Sequence, residues 1–310
     1  MICKQNPTGR GLTVSCYRRP PGSALLQNLL LFSLLLILSP ACQVHKNGPD
    51  EVQVEEGLEE TALYRVSFSA DSSSRGYRLN IYRFDLLVFD ADGLHSLERR
   101  FRLDTLPASL EFKARKGPLI AVALANASCI GGLDAVSRYE EAESLCAEFE
   151  LEDPYAPLMS GTALLESAAV VLITLTPLMA RVVLDEVCNC MTGYRRLEDP
   201  VIYLDNTAAF AEVLRTDGFR PSEFIPSARK RPLPFDIGIL PQHPRAELFC
   251  YPNDAPSSSP GTPATVFVLE ATVDGTPCRF PLSLGPVHRG GTVRLHLLVN
   301  SPSDFEWSTE

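Results

Sequence analysis

Apolar and polar residues alternate in short stretches along most of the chain from residue 63 onward. This period of two is typical of β-strands that bury one face. The stretch at 77–93 ends in Asp92-Gly93, a strong signal for the turn of a β-hairpin. The alternation, together with short continuous apolar runs, predicts strands at 63–68, 79–89, 94–103, 109–114, 118–128, 170–176, 179–187, 201–204, 246–251, 265–273, 278–284 and 292–300.

Two segments depart from this alternation. Residues 134–149 carry apolar side chains at steps of three and four, and Asp134 is suited to be an N-cap, so an amphipathic helix is predicted there. A second, shorter helix is predicted over 208–215. Prolines punctuate a loop at 221–244, and the sequence PSSSPGTP at 256–263 indicates a flexible connection.

Many short strands separated by turn signals predict an all-β protein. We place a domain boundary near Pro177, because that proline interrupts a strand and the second part of the chain then repeats the pattern of the first. Roughly seven strands on each side favour two β-sandwiches in tandem. The predicted domains cover residues 61–176 and 177–310, each with one short helix inserted.

The first 41 residues contain an apolar run at 29–38, preceded by Arg18 and Arg19 and followed by Ser39-Pro40-Ala41-Cys42. Roughly ten apolar residues are too few to span a bilayer, which needs about 20, but they match the core of a secretory signal. A cysteine behind a small-residue cleavage site indicates a bacterial lipoprotein, in which the thiol of Cys42 is acylated. The alternatives are ordinary cleavage near Ala41 and an uncleaved anchor.

The charge of the chain excludes one class of partner. The predicted signal holds four of the 28 Lys and Arg and no Asp or Glu, so the remainder carries 24 basic and 38 acidic residues. Nucleic acid is therefore an unsuitable partner, because phosphate binding depends on Lys and Arg. Residues 42–60 are polar and acidic and are predicted to be a spacer between the membrane surface and the first domain.

Nine cysteines occur in the sequence, and six remain when the two in the signal and the lipidated Cys42 are set aside. An even number in an exported protein permits disulfides. Cys129 with Cys146 and Cys250 with Cys278 are the suggested pairs, because each pair stays within one region. The alternative is that the cysteines are buried free thiols.

No residue pattern in the chain predicts catalysis, a metal site or a cofactor. The acidic turn at 90–93 lacks the Glu that an EF-hand calcium loop requires, because Arg99 stands at that position. The five histidines are scattered, and none has a His or Cys at metal-ligand spacing in the sequence. Nucleophile-elbow, zinc-protease and phosphate-loop motifs are absent from the sequence.

Several stretches taken in order, together with Cys42, resemble the fimbrillin-associated anchor family, the anchor and accessory subunits of Bacteroidota-type fimbriae. These stretches are YRFDLLVFDADG, ALANAS, LTPLMARVVLDEV, FCYPND and VLEATVDGTPCRFPLSLGPVHRGGTVRLHLLVN, and the likeness extends over residues 60–307. Two positions depart from the family pattern: Gly290 follows Arg289 where Asn is usual, and the segment at 301–304 reads SPSD rather than GSDD.

The resemblance implies two transthyretin-like β-sandwiches and a structural role without catalysis or cofactor. The lipid, acyl chains such as palmitate, would hold the protein in the outer membrane facing the cell surface. Its sheets would join other fimbrial subunits by strand addition, in which one protein supplies a strand to the sheet of another. Stalk subunits of the family carry a donor segment after the last strand, and this chain stops ten residues after Asn300, which predicts an acceptor or terminator. A surface lipoprotein that binds a glycan or another nutrient is the alternative.

Overall fold

A computed structural model describes residues 60–70, 80–167, 169–256 and 261–310, which belong to one compact unit. Cys42 and the predicted signal and spacer, apart from Glu60, lie outside these residues. None of the helices in the described part has the length and apolar character needed to cross a membrane.

The first half of the described chain contains eight strands and one α-helix, α1 (Tyr139–Glu143). The strands are β1 (Thr61–Ala70), β2 (Phe84–Asp90), β3 (Leu97–Leu103), β4 (Ser109–Arg115), β5 (Leu119–Ala125), β6 (Cys146–Glu148), β7 (Met159–Leu165) and β8 (Val170–Pro177). Seven of them form a sheet in the order β3-β2-β5-β7-β8-β1-β4. On β1 and β4 buried residues alternate with more exposed ones, whereas every residue of β2 is buried. Buried residues of these three strands contribute to one hydrophobic cluster, here called the first core.

The second half forms two four-stranded sheets, with the orders β15-β9-β18-β19 and β14-β10-β16-β17. Their core contains Phe267, Phe280 and Leu295, all fully buried. The strands of this half are β9 (Ala180–Asn189), β10 (Glu198–Asp205), β11 (Thr207–Ala208), β12 (Phe210–Glu212), β13 (Phe224–Ile225), β14 (Ala228–Pro232), β15 (Ala246–Cys250), β16 (Val266–Val273), β17 (Thr276–Ser283), β18 (Thr292–Ser301) and β19 (Asp304–Thr309).

A third hydrophobic cluster, here called the junction, contains buried residues from both halves. Phe149 from the first half packs edge-on against Tyr251 from the second, with ring centroids 5.5 Å apart. Strand β6 of the first half also pairs with β12 of the second. The division of the chain between residues 176 and 177 stays a prediction, while these contacts bind the two halves to one another.

One guanidinium at the junction connects β7, β8 and the segment after β12 through five hydrogen bonds. Arg289 donates from Nη2 to Ser160 Oγ at 2.7 Å and to the Thr176 carbonyl at 2.9 Å. Its Nη1 donates to the carbonyls of Val213 and Arg215, at 2.8 and 2.9 Å. Burial lowers the pKa of Arg289 to about 10, while the Glu152 carboxylate acts in the opposite direction. The side chain therefore remains charged at neutral pH and donates to carbonyls of β7, β8 and the segment after β12.

Gly290 follows this arginine because the junction has no space for a side chain. Its φ is +64°, and a Cβ would lie 2.8 Å from Thr176 Cγ2. The departure from the family pattern at this position thus has a packing cause.

The all-β class is confirmed, but both predicted helices need correction. Within 134–149 only α1 is α-helical, and Leu145, Ala147 and Phe149 are buried with a period of two, which is why β6 forms there. The helix predicted over 208–215 is wrong: β11 and β12 occupy this segment. Alanine favours helices intrinsically, but pairing of these residues with β13 and β6 overrides that preference.

Strands β6, β7, β11–β14 and β19 are additions to the predicted set. The predicted hairpin at Asp92-Gly93 is confirmed, because β2 and β3 pair antiparallel on either side of it and Gly93 has a φ of +75°. Strand β19 folds back on β18 and places Phe305 and Trp307 against the second core.

We predict that Gly290→Ala destabilises the protein more than Gly275→Ala does. Both positions have positive φ, which costs a non-glycine residue roughly 1–2 kcal/mol, but only at Gly290 is another atom close to the new methyl group. Overpacking should add about 1–3 kcal/mol at Gly290. Urea denaturation of the two variants gives the comparison, and equal losses would contradict the packing argument.

A second prediction concerns Glu152, a buried carboxyl at the junction. Burial raises its pKa to about 7, against the lowering effects of a hydrogen bond from the Leu158 amide and of the charges on Arg229 and Arg289. Between pH 4.5 and 7 the folded protein therefore keeps a proton on Glu152, whereas the unfolded chain has released it. The wild type should lose stability as the pH rises through this window.

Glu152→Gln should remove this part of the pH dependence. At pH 8 the variant should be more stable than the wild type by up to about 3 kcal/mol, with the difference shrinking below pH 5. Glu223→Gln, at an exposed position, is the control. Denaturation curves at pH 5, 6.5 and 8 test this, and parallel profiles for wild type and Glu152→Gln would contradict it.

Candidate functional site

One edge of strand β8 has no strand beside it in the described part of the chain. On its first side, residues 170–175 pair in parallel with β1. On its second side, β8 meets β7 only at Ser160–Thr176 and Met159–Pro177. Gly161 lies where the two strands separate, and a Cβ there would collide with the Thr174 carbonyl oxygen. The backbone groups on the second side of 170–175 thus lack a strand partner.

Apolar side chains flank this open edge. Leu164 on β7 and Val170 and Leu172 on β8 are each more than half exposed, whereas the alternating Ile173 and Leu175 are buried in the first core. Leu164 lies on the part of β7 that no longer pairs with β8. Exposed aliphatic side chains beside unpaired backbone groups are the features that allow a sheet edge to accept another strand.

The opposite edges of the same sheet are protected. Arg99 on β3 donates from Nε to the Lys113 carbonyl on β4 at 3.1 Å, so the two end strands face one another. Arg102 on β3 forms an ion pair with Asp85 at 2.8 Å. Charged side chains on an edge disfavour pairing with another chain.

Strand β19 forms an edge of the second sandwich but has a different character. Its inward side chains, Phe305 and Trp307, pack 5.2 Å from Phe280 and 5.4 Å from Phe267, measured between ring centroids. Its outward positions include Glu306, which is exposed. This edge is therefore anchored in the core and polar outside, unlike the apolar edge of β8.

The cysteines that sequence analysis paired are separate free thiols in the structure. Cys129 and Cys250 are buried, whereas Cys146 is exposed and Cys278 is partly buried. Burial raises the pKa of Cys129 and of Cys250 to about 12, so these thiols are protonated and unreactive at neutral pH. The two disulfide pairings stay predictions.

Asp90 and His296, two candidates for metal binding by residue type, make contacts within the fold. Asp90 accepts a hydrogen bond from the Asp92 amide at 2.9 Å and forms an ion pair with Arg115. His296 lies 3.5 Å from Glu186 on the neighbouring strand β9. No group of three or more His, Cys, Asp or Glu side chains within the described ranges could hold a metal ion.

The open edge is not visible in the sequence, because β7 gives no clear strand signal there. Residues 159–165 contain Gly161 and small polar residues, which give only a weak alternation of buried and exposed positions. The exposed aliphatic residues at 170 and 172 alternate with buried ones and read as an ordinary strand. Only the pairing of the strands shows that one side of β8 is uncovered.

Comparison by sequence finds no match: no family model matches the chain, and no curated protein does so. Comparison by structure gives a different result. A candidate cell adhesion protein from Bacteroides eggerthii superposes with a TM-score of 0.62 at 15% identity, covering 81% of this chain and 95% of that one.

Two fimbrial proteins of Porphyromonas gingivalis are also similar in structure. The fimbrilin superposes with a TM-score of 0.57 at 11% identity, covering 78% of this chain and 90% of that one. The tip fimbrial protein Mfa3, crystallised with a C-terminal truncation, gives 0.52 at 11% identity, covering 81% and 99%. The expectation drawn from the sequence resemblance is confirmed at the level of fold: this chain has the tandem β-sandwich fold of Bacteroidota fimbrial and adhesion proteins.

Proposed function

We propose that the chain is a non-enzymatic, lipid-anchored subunit of a bacterial fimbrium that takes part in adhesion and joins other subunits by strand addition at the edge of β8. The observation that carries the proposal is the unpaired edge at 170–175 with its exposed aliphatic side chains. The fold that the chain shares with fimbrial and adhesion proteins supports the same role.

An added strand would satisfy two needs of this edge. Its backbone would form hydrogen bonds with the N–H and C=O groups of β8. These main-chain bonds supply affinity whatever the sequence of the added strand. Its alternate side chains would cover Leu164 and Leu172 and remove their apolar surface from water. In this arrangement the chain accepts a strand, as the resemblance to anchor and accessory subunits implies.

The anchoring part of the proposal rests on Cys42. Each buried CH₂ of an acyl chain contributes about 0.8 kcal/mol, and one chain alone gives only marginal attachment, so two or three chains hold a protein durably. Acylation at Cys42 would attach the subunit to the outer membrane, facing the cell surface. The spacer that follows leads to Glu60, where the first sandwich begins.

We predict that Leu172→Arg abolishes incorporation into fimbriae while the subunit still folds. A charge in the middle of the open edge disfavours an incoming strand, whereas the outward position leaves the core intact. The measurement is recovery of fimbrial subunits, identified by mass spectrometry, with tagged full-length protein from its own bacterium. Leu94→Arg, at an exposed turn residue, is the matched control.

Hydrogen exchange locates the contact directly. In the assembled state the alternate amides of 170–175 that point away from β1 should exchange at least tenfold more slowly than in the isolated subunit, because strand addition gives them partners. Normal assembly of Leu172→Arg, or unchanged exchange at β8, would exclude this edge as the joining surface.

A separate prediction tests the anchor. In the wild type, mass spectrometry of the mature protein should find a polypeptide that begins at Cys42 and carries acyl chains. In the Cys42→Ala variant the signal should not be cleaved at this position. The subunit should also be lost from outer-membrane fractions of a strain that still exports its other proteins. A mature wild-type protein without acyl groups would contradict the lipoprotein assignment and leave the strand-addition proposal standing.

A further inference from the structure

Strand β19 pairs with β18 on one side only. Glu310 exchanges both backbone hydrogen bonds with Arg294 on β18, at 3.1 Å each. Because paired residues of an antiparallel ladder alternate between bonded and non-bonded positions, the N–H and C=O groups of Phe305, Trp307 and Thr309 point away from β18. No strand of the described ranges pairs with β19 on that side. This edge therefore presents a regular row of backbone donors and acceptors.

The edge formed by β17 in the same sandwich is closed to pairing by proline. The amide of Leu284, just after β17, bonds to the Thr265 carbonyl at 2.9 Å, so positions 277, 279, 281 and 283 of β17 direct their backbone outward. Two of these four residues, Pro277 and Pro281, have no N–H to donate. Proline on an edge strand prevents pairing with other chains. Strand β19 contains no proline and keeps all of its outward donors.

The outer face of β19 is acidic. Asp304, Glu306 and Glu310 are exposed, and they alternate with Phe305 and Trp307, which pack against the second core and are partly buried. Within the described part of the chain, neither Asp304 nor Glu306 has an ion-pair partner. An added strand would therefore meet uncompensated carboxylates on one face and the rim of the core on the other.

A groove of about 230 Å³ adjoins this edge on the outer face of the sheet. Glu306, Leu298 and Glu186 line it in that order across β19, β18 and β9. His296 also lines the groove and lies 3.5 Å from Glu186, so Glu306 is the carboxylate that lacks a partner there. The groove offers apolar surface for an aliphatic stem and negative charge for a cationic head, as a lysine or arginine side chain requires.

We propose that β19 binds an extended segment of another protein in which basic and apolar residues alternate. The backbone of the segment pairs with the outward groups of β19. Its basic side chains lie beside Glu306 on the outer face, and its apolar side chains pack next to Phe305 and Trp307. This inference goes beyond the proposed assembly role and does not depend on the edge of β8.

The charges on β19 decide which strands are admitted. Carboxylates on an edge repel acidic strands, and they repel β19 of a second copy, because its own carboxylates would lie opposite them. A strand of opposite charge is the one that these residues favour, so the same side chains exclude wrong partners and select the right one. The net charge of the chain, −10, also attracts a basic partner over longer distances.

Three peptides test the assignment on the purified full-length protein. Acetyl-TKVKVKT-amide has the basic pattern, acetyl-TEVEVET-amide has the acidic pattern, and acetyl-TSVSVST-amide is uncharged. Trp307 is the only tryptophan of the chain, so its fluorescence reports binding at this edge. The basic peptide should bind at least tenfold more tightly than either of the others. Equal binding of the three peptides, or binding of none, would overturn the proposal.

A charge reversal tests the role of Glu306. In Glu306→Lys the basic peptide should bind at least tenfold more weakly and the acidic peptide more tightly, because the charges that face each other across the strands change sign. Glu223→Lys, at an exposed position outside β19, is the matched control and should leave both affinities unchanged. Leu172→Arg should also leave them unchanged, which separates this surface from the edge of β8. An unaltered preference in Glu306→Lys would contradict the assignment.

A backbone variant separates strand addition from attraction by charge alone. Thr309→Pro removes one outward N–H, whereas Thr309→Ala keeps it, and the exposed position lets both variants fold. The basic peptide should bind Thr309→Pro about tenfold more weakly than Thr309→Ala, the loss expected for one hydrogen bond. In the wild-type complex the amides of Phe305 and Trp307 should exchange more slowly than in the free protein. Equal affinities of the two variants together with unchanged exchange would exclude strand addition at β19.

Discussion

The buried guanidinium of Arg289 is the interaction on which the arrangement of the two sandwiches depends. It binds the end of β8, the start of β7 and the segment after β12, and thereby fixes where the first half ends and the second begins. A charge in this position is tolerated because five hydrogen bonds replace its water. Gly290 follows because a side chain would displace Thr176.

Strand β8 contributes to the junction at one end and forms the open edge along the rest of its length. Thr176 and Pro177 pair with β7 and hold the strand at the junction, whereas residues 170–175 leave β7 and pair with β1. The change of partner creates the open edge, and the two strands pass so close at Gly161 that the position has no space for a Cβ. An apolar edge would be a hazard in a solitary protein, so its retention here is consistent with a protein that is assembled into a larger structure.

Much of the fold follows from local pattern. Strands such as β1 and β4, with one buried face, and the hairpin at Asp92-Gly93 are visible in the sequence because their signals lie within a few residues. The segment at 208–215 is not, because its strands exist only through partners far along the chain. The backbone pairs Leu197–Ile237 and Val187–Gln242 are hidden from the sequence for the same reason, since their members lie far apart along the chain.

The parallel pairing of β1 with β8 determines how the protein resists pulling. Strand β1 begins at the end of its sandwich remote from the junction, and β8 ends at the junction, where the chain continues into β9. Traction between residue 60 and the far tip of the second sandwich would slide these two strands along each other. The hydrogen bonds between the two strands would then bear the load together and would not break one after another. The parallel pair of β9 and β18 has the same geometry.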